Sequence, residues 1–324
     1  MWLCGELLIR RQEHMKKLFL LKPRGFCAGV VRAIQTVEKA LTLWGSPIYV
    51  NHHIVHNKHV VKDLESRGAV FIEDLNQIPR KGRVIYSAHG VSPAQRALAK
   101  KRELIEIDAS CGLVIRIHSA VQRYAKKGYQ ILLIGHKTHV EVIGTLGEAP
   151  DQTTIIESVF DVEKLNFLPN QPLFYIMQTT LSLDDVKQIT DALLKKYPHA
   201  ETLSSSSICY ATTNRQLALR EITSRVDLVL VVGDSMSSNS NRLREVAQVR
   251  GVPSYLINSP EEIDPRWLDA VSSIGLTAGA STPESVVQCC ISSLNSMGVR
   301  EIEEVEYTQE SVFFQLPKEV STTV

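Results

Sequence analysis

Three cysteines stand out by what flanks them. Cys27 follows an apolar run at residues 17–22 and a Pro-Arg-Gly-Phe turn, and a helical pattern starts directly after it. Cys111 follows residues 104–107 through Asp108-Ala109-Ser110, Cys209 follows residues 203–208, and each again precedes a helical pattern. A thiol between a strand and a helix lies at the strand's carboxyl end, where open α/β sheets bind their ligands. A helix N-terminus at that point favours the thiolate, the form that ligates metal. Three such thiols could together hold an iron–sulfur cluster or a zinc ion. A cube-shaped cluster normally takes four cysteines, one per iron, so three leave one iron open to a substrate oxygen as Lewis acid and electron conduit.

Polar loops recur at matching distances from these thiols. NHHIVHN (51–57), GHKTHVE (135–141) and GDSMSSNSN (233–241) each end an apolar strand, and His56, His139 and Ser237 follow their cysteines by 29, 28 and 28 residues. A second set closes a later strand: SAHG (87–90) with His89, MQTT (177–180) with Thr179, and TAGAS (277–281) with Ser281. His139 and Glu141, two apart, suit a loop and make a proton-delivery pair, with a surface ion pair at a helix start as the competing reading. Ser237, Ser238 and Asn239 ahead of a helix offer more hydroxyl, amide and N–H groups than one cap needs, which suits a phosphate. His52, His53 and His59 read as a solvated histidine loop, because no Cys or His pair has the close spacing of a structural zinc site.

The elements that must position these residues repeat three times. After the cysteine helix, first seen at 28–44 with Val30, Ile34, Val37 and Leu41 on one stripe, come second strands at 47–50, 130–134 and 227–232. Third strands lie at 69–72, 153–156 and 254–257, and fourth strands at 83–87, 173–176 and 273–276. Closing helices open at Ser92-Pro93, Ser182 and Thr282-Pro283, good N-caps and first-turn residues. Fixed-offset self-similarity predicts an α/β fold of three similar small units with mainly parallel sheets, arranged pseudo-threefold around a central cluster site. An ordinary two-domain α/β protein is the alternative. The expected divisions are a disordered extension at 1–16, units at 17–103, 104–200 and 201–299, and a tail at 300–324 whose segments 301–307 and 312–316 add edge strands. Ser204 to Ser207 reads as a flexible linker.

The totals exclude several classes. Net charge is +1 over 324 residues, with 44% hydrophobic and 22% charged residues, so nothing global calls for nucleic acid or a membrane. No apolar run nears the roughly 18 residues of a spanning helix. Six widely spaced cysteines without a signal-peptide pattern point to a reducing cytoplasm. Met15, just before the first strand, is the expected start, which leaves Cys4 without a role; Cys289 and Cys290 read as core packing in an apolar helix. The residues by themselves lead to a metal-dependent enzyme acting on an anionic small molecule.

Longer strings go further. PRGFCAGV (23–30), VHN (55–57), SAHGVS (87–92), GHxxHxEVxGT (135–145), QTTLS (178–182), ICYATTNRQ (208–216), SSNSNRL (237–243) and TAGAS (277–281) resemble the LytB/IspH family of 4-hydroxy-3-methylbut-2-enyl diphosphate reductases, over residues 17 to 319. The resemblance implies the last step of the non-mevalonate isoprenoid pathway: reductive removal of an allylic hydroxyl with two electrons and two protons, giving isopentenyl and dimethylallyl diphosphate. It implies a [4Fe–4S] cluster on Cys27, Cys111 and Cys209 with the substrate hydroxyl at the fourth iron. It makes Glu141 the proton source, supported by Thr179 and His139, which also face the substrate. His56, His89, Ser237, Ser238, Asn239 and Ser281 would hold the diphosphate, and a ferredoxin or flavodoxin would supply electrons. Gly112 and Val140 stand where the family has proline, Ile115 and Met177 where it has threonine; losing the prolines is predicted to loosen the loops beside Cys111 and Glu141. The competing classes are a cluster-bearing redox sensor without catalysis and a zinc-dependent hydrolase of a small phosphate ester.

Overall fold

Parallel strands buried on both faces need continuous apolar runs, and the chain supplies them at its sheet centres, as in Leu-Val-Leu-Val-Val at Leu228–Val232, buried throughout. The computed structural model describes residues 16–204 and 207–321. The predicted extension, with Met15 and Cys4, therefore lies outside the described residues save for Lys16, as do the two central serines of the expected linker.

In chain order the first elements are β1 (Lys16–Lys22), α1 (Ala28–Trp44), β2 (Ile48–Asn51), α2 (Lys58–Ser66), β3 (Ala69–Ile72), β4 (Arg83–Tyr86) and α3 (Pro93–Lys101). There follow β5 (Ile105–Asp108), α4 (Gly112–Lys126), β6 (Gln130–Ile134), α5 (Val140–Leu146), β7 (Thr153–Ile156), α6 (Val159–Lys164), β8 (Leu173–Met177) and α7 (Leu183–Lys196). The last part holds α8 (Tyr210–Ile222), β9 (Leu228–Val232), α9 (Ser238–Val249), β10 (Ser254–Ile257), β11 (Ser273–Ala278), α10 (Glu284–Ser296), β12 (Val299–Glu306) and α11 (Lys318–Ser321). No described helix is long and apolar enough to cross a membrane.

Three sheets result, with orders β3-β2-β4-β5, β7-β6-β8 and β10-β9-β11-β1-β12, and every strand pair in them is parallel. Each sheet is covered on both faces by helices, with separate apolar clusters on the two sides, so the expected plan of three small α/β units holds.

The strand ahead of each cysteine pairs with the sheet of the preceding unit. β1 leads to Cys27 but pairs with β11 and β12, Leu18 opposite Ile274 and Ile302. β5 leads to Cys111 and pairs with β4, Ile107 opposite Ile85. Ahead of Cys209 only a single bridge remains, Glu201 against Phe174 of β8. The chain therefore crosses from one sheet to the next unit at each cysteine, which puts all three thiols at the junctions between units.

Local departures from expectation have local reasons. Residues 203–204 and 207–208 form no strand; the run of serines lacks the side chains that pack a pleated face. Ser92 and Ser182 cap α3 and α7 through their hydroxyls, but Thr282 does not cap α10, because its Oγ1 donates to Val232 O at 2.9 Å. In the tail, β12 forms an edge strand as expected, whereas residues 312–316 are not a strand. Cys290 is buried in the core but Cys289 is exposed, since adjacent helical positions face about 100° apart.

Candidate active site

Each of the three cysteines is the N-cap of its helix, and none of their side chains makes a capping hydrogen bond. Their backbones are pinned in one cyclic pattern. Cys27 N donates to Ala280 O at 3.2 Å, Cys111 N to Ala88 O at 2.9 Å and Cys209 N to Thr179 O at 3.0 Å. Each acceptor lies in the polar loop after the fourth strand of the preceding unit, so thiol and loop are joined across every junction. Gly29 keeps space between two of the sulfurs: a Cβ there would lie 2.6 Å from Cys111 Sγ and 3.9 Å from Cys27 Sγ.

The three thiols open onto one shared cavity. Around it, His56 stacks on His89 with ring centroids 4.2 Å apart, and His139 stands edge-on to both at 5.6 and 6.0 Å. His139 caps α5: its Nδ1 accepts from Glu141 N at 3.2 Å, which leaves the proton of the neutral ring on Nε2. The pair expected in a loop is thus a cap and a first-turn residue of α5, with Val140 as the first residue of the helix. Glu141 is buried, its Oε1 accepting from Thr179 N at 2.7 Å and its Oε2 from Thr179 Oγ1 at 2.8 Å.

Ser237 is the cap of α9, accepting from Ser240 N at 3.3 Å. Ser238 Oγ meets Thr180 Oγ1 at 3.0 Å, and Asn239 Oδ1 accepts from Ala280 N at 2.9 Å. Ser281 Oγ donates to His56 O at 3.0 Å. All twelve residues singled out in the sequence line this one cavity. His52, beside Glu73, His53, against Phe71, and His59, bonded to Asn258 O, do not.

Charge is withheld from the cavity. Burial lowers His56 and His139 from the ordinary 6.5 to about 4, and takes His89 down as well, each histidine opposing charge on its neighbours. Burial raises Glu141 despite the two hydrogen bonds from Thr179. The thiols depart from expectation: burial pushes Cys111 to about 11 and Cys209 to about 12, outweighing the helix N–H groups that favour thiolate. A cationic metal group is what Cys111 and Cys209 would need in order to ionise. Among the described residues no three His, Cys, Asp or Glu side chains close on a single point as one metal ion requires. His56 Nδ1 is buried without a partner.

Sequence reasoning missed Thr180 and Thr212, which also line the cavity, although both sit inside the quoted strings. It missed Gln178, whose Oε1 accepts from His136 N at 3.0 Å and whose Nε2 donates to Thr180 Oγ1 at 2.9 Å. It also missed Asp234, 1% exposed, whose carboxylate accepts from Lys58 N at 3.1 Å and Met236 N at 2.9 Å, joining the start of α2 to the Ser237 loop. Only its place in the GDS turn could have pointed to it.

Fold and site define a class: three α/β units whose loops bring thiols, imidazoles and a buried carboxylate onto one cavity. The chain belongs to the LytB family, whose model, described as LytB protein, matches residues 18–295. It is similar to the 4-hydroxy-3-methylbut-2-enyl diphosphate reductase of Protochlamydia amoebophila, 69% identical over 94% of this chain and 97% of that one. The protein of the same name from Chlamydia pneumoniae is 61% identical over 94% and 99% of the two chains. Among solved structures, the E-1-hydroxy-2-methyl-but-2-enyl-4-diphosphate reductase of Plasmodium falciparum matches with a TM-score of 0.93 and 51% identity, covering 94% of this chain and 97% of that one. A second, titled as the terminal enzyme of the non-mevalonate pathway, matches at 0.63 and 28% identity over 87% and 100%.

Proposed function

We propose that this protein reduces 4-hydroxy-3-methylbut-2-enyl diphosphate to isopentenyl and dimethylallyl diphosphate; its relatives are named as reductases of that substrate. The observation that carries the reading is the convergence of three half-buried thiols, three imidazoles and a buried Glu141–Thr179 pair on one cavity. Cys27, Cys111 and Cys209 would hold a [4Fe–4S] cluster, which when bound supplies single electrons and one iron free of protein ligands as a Lewis acid.

The chain's own residues do the rest. Neutral His56, His89 and His139 accept a dianionic headgroup into a site where its charge draws protons onto the rings. Ser237, Ser238, Asn239 and Ser281 supply hydroxyl and amide donors at the start of α9. Glu141, kept protonatable by burial, delivers a proton through Thr179 Oγ1, whose hydroxyl can accept from the acid while donating into the cavity. The balance is two electrons and two protons: the allylic C–O bond breaks, the hydroxyl leaves as water with one proton, and the other proton adds to carbon. A ferredoxin or flavodoxin class partner supplies the electrons.

The test is turnover of the synthetic diphosphate by protein prepared without oxygen, with and without a one-electron reductant. Reductant-dependent formation of the two isomeric diphosphates supports the reading. Release of phosphate without reductant contradicts it and favours a hydrolase.

A further inference from the structure

The segment after β12 is tied to all three cysteine helices, each time beside a thiol. Arg215 of α8, 1% exposed, donates through Nη1 to Glu310 Oε1 at 2.9 Å and to Ala211 O at 2.9 Å, and through Nη2 to Gly25 O at 2.9 Å. Asn214 Nδ2 adds a bond to Glu310 Oε1 at 3.1 Å. Arg32 of α1 donates through Nε to Gln315 O at 2.7 Å, and its other nitrogens hold Ser110 O at 2.7 Å and Asp108 O at 3.0 Å. Between these two anchors Phe314 lies on Gly112, the first residue of α4: a Cβ at 112 would sit 2.6 Å from Phe314 Cε1 and 2.8 Å from Cδ1. Phe314 thus occupies the space that a larger side chain at position 112 would need.

Both ends of the segment are fixed. β12 pairs along the whole of β1, and Leu316 packs on the core of the first unit, which includes the buried Val320 of α11. No residue of 307–317 lines the substrate cavity, so the segment meets the cysteine helices from outside it.

We propose that residues 307–317 are an outer cover across the first turns of the three cysteine helices, locked by Phe314 on Gly112 and by Glu310 on Arg215, and that it sets how long the metal group survives in air. The inference rests on reading the cysteines as cluster ligands. Gly25, Ser110, Gly112 and Ala211 each lie within two residues of a ligand cysteine, so a lapse of the cover frees the ligand loops locally without unfolding the units. Phe314 and Glu310 are positioning residues in this account and touch neither substrate nor sulfur.

The test compares the wild type with Phe314→Ala, Gly112→Ala, their double variant and Glu310→Gln, all purified without oxygen. Iron and sulfide are determined first; then the loss of visible absorbance in air is followed, with thermal melting of the metal-free forms alongside. The expected result is equal initial loading and about tenfold faster bleaching for Phe314→Ala and Gly112→Ala, as for a local opening that has lost its aromatic lock. The double variant bleaches no faster than Phe314→Ala, because the added methyl displaces a ring no longer there. Glu310→Gln, which keeps size and loses the charge opposite buried Arg215, moves the same way. Normal loading with unchanged bleaching in Phe314→Ala overturns the cover, even if melting falls, and so does full additivity in the double variant. A wild type without iron and sulfide overturns the cluster reading, and the cover with it.

Discussion

Both carboxylate oxygens of Glu141 accept from one residue, Thr179, through its main-chain N–H at 2.7 Å and its hydroxyl at 2.8 Å. The same Thr179 accepts through its carbonyl from Cys209 N at 3.0 Å, so a single residue ties the buried acid to the backbone of Cys209 in the next unit. The two donors favour the carboxylate while burial favours the acid, and burial wins. Thr179 therefore tempers the hold that burial gives Glu141 on its proton.

Replacing Glu141 by Gln keeps an acceptor for Thr179 N and removes only the transferable proton. Turnover is expected to fall by about a hundredfold or more, within the usual range for a lost general acid, with iron and sulfide content unchanged. Thr179→Val, which keeps the N–H donor, should lose less. The check is kcat alongside iron content in both variants; near-normal kcat in Glu141→Gln would move the acid elsewhere.

A pH dependence follows from the histidines. Above the ordinary 6.5 they are neutral in both the folded and unfolded chain and contribute no slope. Between 6.5 and about 4 the unfolded chain takes up protons that His56 and His139 refuse, so stability of the metal-free protein declines as pH falls. A bound diphosphate raises the ring pKa values and should flatten that decline. Melting curves from about pH 7 down to about pH 5, with and without pyrophosphate, test both halves; an unchanged slope in its presence would remove the imidazoles from the anion site.

Gly29 offers a test of the metal site that spares its ligands. The metal-free Gly29→Ala protein should melt within a few degrees of the wild type, its Cys111 thiol rotating aside and the Cys111 Cβ, 3.2 Å from the added methyl, giving slightly. Fixed as a ligand, that sulfur cannot avoid a Cβ at 2.6 Å. Iron per chain is expected to drop several-fold, and full loading would show that the space between Cys27 and Cys111 is not used.

Asp234 is the carboxylate that joins the His56 segment to the Ser237 loop. Asp234→Asn puts an amide where one of two N–H groups needs an acceptor, at a cost of about 1 kcal/mol. Pyrophosphate affinity should weaken about fivefold by titration calorimetry, from loss of alignment alone. Unchanged affinity would make the latch irrelevant to the anion site.

The fold was legible where period and punctuation agreed. Apolar strands such as 130–134, polar loops at their ends and Ser-Pro helix starts recur at one spacing, and the cavity residues sit at those loops. Pairing was not legible: nothing in residues 17–22 says that they join β11 and β12, because an apolar strand buried on both faces carries no mark of its neighbours. Helix N-termini that favour thiolate are visible in a sequence, whereas the burial that opposes them at Cys111 and Cys209 is a property of the assembled units. Asp234 and Phe314 escaped notice for the same reason, since their partners lie 176 residues away at Lys58 and at the start of α4.

The central claim is that Cys27, Cys111 and Cys209 together hold an iron–sulfur cluster. The most direct measurement is iron, acid-labile sulfide and zinc per chain, with a visible spectrum, on protein purified without oxygen. The same assay on single serine variants of the three cysteines, and of exposed Cys289 as control, assigns the ligands. The account predicts a brown protein with iron and sulfide in equal amounts approaching about four each, lost in the three variants and kept in Cys289→Ser. A colourless protein with stoichiometric zinc, or full iron in any of the three variants, would contradict it.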